Sequence, residues 1–97
     1  MNSVNLIGRL TRNPIMSNTI NTNTRVAYFT LAVQVSSDKT DFIRIVAYGK
    51  TAEFIEKYIT KGQRIGLSGR LNTYDYIDSN NVRCYGMNVI TDSVFFA

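Results

Sequence analysis

The side chains best suited to chemistry in this sequence are aromatic rings that alternate with cations. In the segment DFIRIVAY, residues Phe42, Arg44 and Tyr48 share one side of an extended chain, and Val46 lies between them on that side. Aromatic faces stack on nucleic acid bases while nearby cations contact phosphates, so this pattern is typical of a surface that binds single-stranded nucleic acid. Core packing also explains two aromatics on a strand, but an arginine there would need a buried partner.

A second aromatic pair, Tyr74 and Tyr76, alternates around Asp75 after a later predicted strand. For these two rings, packing within the protein and binding of a ligand explain the pattern equally well. Two lysines adjoin glycines next to a predicted helix, and two arginines alternate with core residues on strands, so phosphates could approach all four. These cations are Lys50, Lys61, Arg44 and Arg70.

The composition excludes several classes of function. The chain has 97 residues, of which 44% are hydrophobic and 19% charged, and we interpret residues 1–97 as one globular domain. It has no histidine and a single cysteine, Cys84, so we expect no metal site, no cofactor and no Ser-His or Cys-His catalysis. The net charge of +4 favours a polyanionic partner, although many basic proteins bind none.

No membrane association is expected, because the longest apolar runs are four residues, whereas a membrane-spanning helix needs about 20. The N-terminal segment has Arg9 after its apolar residues and no small-residue cleavage site, so it does not resemble a secretory signal. We therefore expect a cytoplasmic protein. Without histidine, only enzymes built on Asp, Glu, Lys or Tyr remain possible.

Five predicted strands and one helix must position the aromatics and cations. Alternating apolar residues and β-branched or aromatic runs define the strands. The predicted strands are residues 3–12, 25–35, 41–48, 64–73 and 82–96. Apolar residues at helical spacing predict a helix over residues 51–60, with Gly62 as its C-terminal stop. The polar segment 17–24 is predicted to be a loop.

This order predicts an all-β fold, a five-stranded oligonucleotide-binding (OB) barrel with one α-helix between strands 3 and 4. Such barrels bind nucleic acid or sugar on their second and third strands and the flanking loops. Other small β-barrels, or an open sheet, could have the same order of elements.

Segments along nearly the whole chain resemble the DNA-binding domain of the bacterial and phage single-stranded DNA-binding protein family. The segments NSVNLIGRLTRNP and VAYFTLAV resemble the family's opening and its second strand. DFIRIVAYGKTAEFIEKYITKG resembles its strand, Gly-Lys and helix signature, and RIGLSGRLNTYDY resembles the strand that ends in Gly-Arg-Leu and an aromatic. Each segment alone is a weak signal, but together and in order they are fairly specific.

The resemblance implies stacking roles for Phe42, Tyr48 and Tyr76, and phosphate contacts for the four cations named above. A further family tryptophan would fall near Ser37, where this chain has none, so we expect weaker binding than in tryptophan-bearing relatives. With the Tyr74 ring included, the predicted DNA-binding residues are Phe42, Arg44, Tyr48, Lys50, Lys61, Arg70, Tyr74 and Tyr76.

The resemblance also implies a homotetramer, with Asn5 and Ile7 of the first strand near a contact between copies. Family members recruit replication and repair proteins through a long linker with an acidic tip, whereas this sequence stops at SVFFA. Recruitment through such a tip is therefore not expected. The sequence is either the domain of a longer protein or a naturally short form from a phage, mobile element or paralogue.

The predicted function is non-enzymatic, sequence-tolerant binding of single-stranded DNA in replication, recombination or repair. One alternative is a primosome-type replication accessory protein of the same fold, in which DNA binding is secondary. Another is an oligosaccharide-binding or purely structural barrel, whose binding should not depend on salt.

Overall fold

The computed structural model describes residues 1–97 as six strands and one helix. The strands are β1 (Val4–Leu10), β2 (Ile15–Asn18), β3 (Arg25–Ser36), β4 (Lys39–Tyr48), β5 (Arg64–Ile77) and β6 (Arg83–Phe96). The helix α1 (Gly49–Tyr58) lies between β4 and β5. Five strands coincide with the predicted ones to within a few residues, and β2 is an additional short strand.

Five of these strands close into a barrel in the order β1, β5, β6, β4 and β3. The closing contact is the antiparallel pairing of β3 with the end of β1, where Arg9 lies opposite Ala32 and Leu10 opposite Leu31. β4 and β6 are parallel neighbours, and the other barrel pairs are antiparallel. The predicted five-stranded OB barrel is confirmed, since α1 separates its third and fourth strands. The closing pairing excludes an open sheet.

Alternate side chains of the barrel strands fill the core, as the period of two requires. Leu31, Ile45 and Leu67, from three different strands, are almost fully buried there. The helix contributes Ala52 and Ile55 to the same cluster. The opposite faces of these strands are therefore free to carry polar and aromatic groups.

The predicted loop over residues 17–24 is wrong at its beginning, because β2 extends to Asn18. Ser17 pairs with Val26 and Asn18 with Arg25, so β2 and β3 form a hairpin. The true loop begins at Thr19, whose backbone N–H donates to the carbonyl of Thr24 at 2.9 Å. The strand escaped prediction because β2 lies at a sheet edge, where its mostly exposed side chains need no apolar alternation.

The predicted helix boundaries are also wrong, since α1 begins two residues earlier and ends at Tyr58. Ile59 is already extended (φ −119°) and is buried in the core, which draws the chain out of the helix. Gly62 is therefore not the helix stop. It lies in the following turn with φ +83°, and its N–H donates to the carbonyl of Leu10 at 2.9 Å. This helix has neither the length nor the apolar character needed to cross a membrane.

The fourth barrel strand, predicted to end at Thr73, continues to Ile77. From Asn72 to Asn88, β5 and β6 pair only with each other and form a two-stranded extension. We call residues 72–88 the arm. Its tip is a turn organised by Asp78, whose Oδ1 accepts the N–H groups of Asn80 and Val82 at 2.9 Å each.

Candidate nucleic-acid interface

A groove of about 830 Å³ lies where the outer faces of β3 and β4 meet the arm and the segment after β1. Its walls combine aromatic rings, aliphatic groups and a few polar side chains, as ligand sites commonly do. Among the side chains that line it are Ile15, Tyr28, Phe42, Arg44, Tyr74 and Asn88.

Strand alternation explains why β4 presents Phe42 and Arg44 to the groove. Ile43 and Ile45 face the core. The residues that alternate with them, which include Phe42, Arg44 and Val46, therefore share the outer face. Phe42 is 67% exposed, while Val46 is almost buried at the base of the groove. An exposed ring of this size contributes little to the core and is available for stacking.

The neighbouring strand β3 adds a further ring to the same face. Cross-strand pairing places Tyr28 beside Val46 and Thr30 beside Arg44. On the far side of Tyr28, Ile15 of β2 pairs with it and completes the apolar wall. The groove therefore depends on the β2–β3 hairpin as well as on β4.

Arg44 is a cation without a carboxylate partner. Its Nη1 donates to the hydroxyl oxygen of Tyr74 at 3.3 Å, which holds the guanidinium between β4 and the arm. The ion pairs of the structure join Arg25 to Glu56, Lys39 to Asp41 and Arg83 to Asp75. The charge of Arg44 is thus left available for a phosphate.

The ion pair between Arg25 and Glu56 joins β3 to α1 away from the groove. The hydrogen bond from Arg25 lowers the pKa of Glu56, and the same bond raises the pKa of Arg25. Arg25 is therefore committed to a structural contact, and its charge is partly neutralised.

The ring of Tyr74 packs over a glycine on the paired strand. Tyr74 lies opposite Gly86, and a Cβ atom at Gly86 would overlap the tyrosine ring. Tyr76 follows on the same face, with its ring centroid 6.1 Å from that of Tyr74 and an interplanar angle of 35°. The arm thus offers two adjacent rings, of which Tyr76 is half exposed.

The tip of the arm is fixed beside these rings by Asp78. Hydrogen bonds from the backbone N–H groups of Val82 and then Asn80 hold the pKa of Asp78 below its ordinary value. The carboxylate therefore stays ionised and keeps its hydrogen bonds at neutral pH. A firm turn at this point keeps β5 and β6 in register and Tyr76 in position.

The structure brings only some of the predicted site residues together. Phe42, Arg44 and Tyr74 line the groove, and Tyr76 lies next to Tyr74. Tyr48 is half exposed at the end of β4, one step beyond Val46 on the outer face, and it is the residue that immediately precedes α1.

The other three predicted cations lie outside the groove. Lys50 lies in the first turn of α1, in a shallow depression that Asp92 also lines. The backbone N–H of Lys61 donates to Oδ1 of Asn13 at 2.7 Å, next to the groove wall. Arg70 pairs with Ile90, which in turn pairs with Val46, so it shares the outer face but lies across the sheet from the groove.

Several groove residues were not predicted from the sequence. Tyr28 carried a usable signal, because it alternates with the buried residues Ala27 and Phe29 and must therefore face outward. Arg12 and Ile15 carried none, since they reach the groove only through the chain path after β1 and the pairing of β2 with β3.

Comparison with known proteins shows a match over the whole chain. Residues 1–97 match the family model described as the single-strand binding protein family. The chain is 44% identical to a single-stranded DNA-binding protein of Clostridium perfringens, over 99% of this chain and 65% of that protein. It is 42% identical to single-stranded DNA-binding protein 3 of Clostridium acetobutylicum, over 99% of this chain and 70% of that protein.

A similar match is found in another genus. The chain is 39% identical to single-stranded DNA-binding protein 1 of Staphylococcus aureus strain Mu50, over 99% of this chain and 65% of that protein. The chain thus spans 65% to 70% of the length of these three relatives.

Proposed function

Because the chain belongs to the single-strand binding protein family, we propose that residues 1–97 act as one unit that binds single-stranded DNA without sequence preference and without catalysis. The observation that carries this proposal is the position of Arg44, an unpaired cation in a groove with the rings of Phe42 and Tyr74. Rings and cations so interleaved suit the alternating bases and phosphates of a single strand.

In this mechanism, bases stack on the rings of Phe42, Tyr74 and Tyr28 while Arg44 contacts a phosphate. Every base has an aromatic face, so stacking tolerates any sequence. In a duplex, each base is already stacked between its neighbours, and its faces are unavailable. The groove therefore favours unpaired strands.

The predicted residues outside the groove extend this path along the surface. Tyr76 would continue the stacking along the arm, and Arg70 and Tyr48 share the outer face on the far side of Val46. Lys61 adjoins the groove wall at Asn13, and Lys50 lies beyond Tyr48 at the start of α1. We propose phosphate contacts for these cations, with the strand crossing the barrel between them.

We further propose that copies of this chain assemble, as a homotetramer, through the sheet face that carries β1. Residues 4–8 of β1 pair only with β5, which leaves their other edge open to strand pairing. Asn5 and Ile7 are exposed on that strand. Next to Ile7, the half-exposed ring of Phe95 covers Gly66 and enlarges the apolar surface. We propose that this assembly acts on exposed strands in the cytoplasm and nucleoid, during replication, recombination or repair.

Binding is expected to weaken steeply with salt. If each subunit neutralises about four phosphates, the logarithm of affinity falls against the logarithm of salt concentration with a slope near −3, from about 0.7 per contact. Fluorescence titration of oligo(dT) at several salt concentrations measures this slope. A flat response would contradict the phosphate contacts and favour a carbohydrate or structural role.

Replacing Gly86 with alanine is expected to weaken DNA binding by about 1 kcal/mol, the lower end of the loss for one stacking ring. The added methyl group displaces the Tyr74 ring and with it the hydrogen bond to Arg44. Met87→Ala is the matched control, since Met87 is exposed on the opposite face of the same strand. Equal affinities of the two variants would contradict a role for Tyr74 in binding.

A further inference from the structure

Two asparagines lie side by side where the arm meets the groove. Asn72 of β5 pairs directly with Asn88 of β6, and its Nδ2 donates to Oδ1 of Asn88 at 3.1 Å. Both residues are half-buried, and Asn88 lines the groove together with Arg44 and Tyr74. We call Asn72 and Asn88 the amide pair.

The amide pair has unused hydrogen-bonding capacity. Each amide offers a carbonyl oxygen and two N–H donors, and the mutual bond uses only one group on each residue. The Nδ2 group of Asn88 and Oδ1 of Asn72 have no protein partner. By contrast, Asn13 on the groove wall uses its Oδ1 to accept the N–H of Lys61.

Asparagine is also an unfavourable choice for these positions if packing alone matters. It is depleted in strands relative to β-branched residues, and a half-buried amide loses part of its hydration. The free donor and acceptor are open to solvent, so a ligand in the groove can reach them. The free groups lie on neighbouring strands, so the ligand should itself present an acceptor and a donor next to each other.

We propose that the amide pair binds the Watson–Crick edge of a base held in the groove. This inference rests on the proposed function and specifies how the same site recognises an unpaired base. Single-stranded bases are commonly recognised by hydrogen bonds to this edge together with stacking. All four bases carry a donor and an acceptor side by side on it, so this contact preserves sequence tolerance.

The position of the amide pair next to the Tyr74 ring supports this proposal. Tyr74 and its partner Gly86 lie two residues further along the arm on the same face, a spacing of about 7 Å. A base that stacks on Tyr74 therefore has its edge close to the amide pair. In a duplex the Watson–Crick edge is already occupied, so this contact adds to the selection of single strands.

A cycle of protein and DNA changes tests the proposal. The wild-type chain and Asn72→Ala are each titrated with oligo(dT) and with the same oligonucleotide built from N3-methylthymidine, which keeps the ring but loses the edge donor that would bind Oδ1 of Asn72. Wild type is expected to bind the methylated strand about fivefold more weakly, the effect of one hydrogen bond. Asn72→Ala removes the free acceptor, so it is expected to bind oligo(dT) more weakly to a similar extent and to be insensitive to the methyl group.

Two further variants serve as controls in this cycle. Asn88→Ala removes the free donor and leaves the acceptor, so it should bind oligo(dT) more weakly and still be sensitive to the methyl group. Asn21→Ala, an exposed amide in the loop between β2 and β3, should behave as wild type. Equal affinity of wild type for both strands, a methyl effect that persists in the folded Asn72 variant, or unchanged oligo(dT) binding by the folded Asn88 variant would overturn the proposal. Absence of any binding to oligo(dT) would instead overturn the proposed function.

Discussion

Replacing Phe42 with alanine weakens the binding of single-stranded DNA by about 1 to 3 kcal/mol, the usual loss when a stacking ring is removed. The ring is 67% exposed and lines the groove beside Arg44, so its removal deletes a stacking surface without opening a cavity in the core. Tyr76→Ala should have an effect of the same size, because that ring is half exposed and adjoins Tyr74. Affinity is measured by titration with oligo(dT) at fixed salt.

The matched control for these variants is Tyr85→Ala. Tyr85 is a 75% exposed ring that faces away from Tyr74 and Tyr76, because neighbouring residues of a strand point to opposite faces. Its loss should leave affinity unchanged. If Phe42→Ala and Tyr76→Ala are folded and also bind as wild type does, the rings do not stack on DNA.

Replacing Leu31 with alanine is expected to lower the free energy of unfolding by about 2 to 5 kcal/mol, as for other buried leucines. Leu31 is completely buried and pairs with Leu10 of β1 on one side and Ile43 of β4 on the other. It therefore packs where the barrel closes. The free energy of unfolding of a small domain is only about 5 to 15 kcal/mol in total, so this variant should be close to unfolding. Urea unfolding followed by circular dichroism measures the loss.

Val35→Ala, further along the same strand, is the control for this measurement. Val35 is 57% exposed beyond the core, so its truncation should change stability by less than about 0.5 kcal/mol. An equal decrease in the free energy of unfolding in the two variants would mean that the barrel does not close around Leu31.

The sequence was sufficient to predict the barrel because its strands alternate regularly between a core face and an outer face. The closure itself depends on a contact that alternation does not reveal. At Gly8, a side chain would collide with the carbonyl group of Ala32 on β3. This glycine therefore allows β1 to approach β3, a reason that becomes visible only when the two strands are placed together.

The candidate site was predictable only where a single strand carries it. Phe42 and Arg44 follow from alternation within β4, whereas Tyr28 and Ile15 join them through pairing between strands. Local pattern does not place Lys50 and Lys61 relative to the groove: both are close to β4 and α1 in sequence, and both lie outside the groove. The position of a flanking cation depends on the chain path around the helix, which spacing does not specify.

The most direct measurement is a titration with oligo(dT) of increasing length, followed by tyrosine fluorescence at low and moderate salt, with duplex DNA as the control. The chain has no tryptophan, and four of its six tyrosines belong to the proposed site, so most of the signal comes from these rings: Tyr28, Tyr48, Tyr74 and Tyr76. We expect tight, length-dependent and salt-sensitive quenching by single strands, with little response to the duplex. Equal binding of single strands and duplex, or no binding of either, would contradict the proposal that the groove is a single-strand binding site.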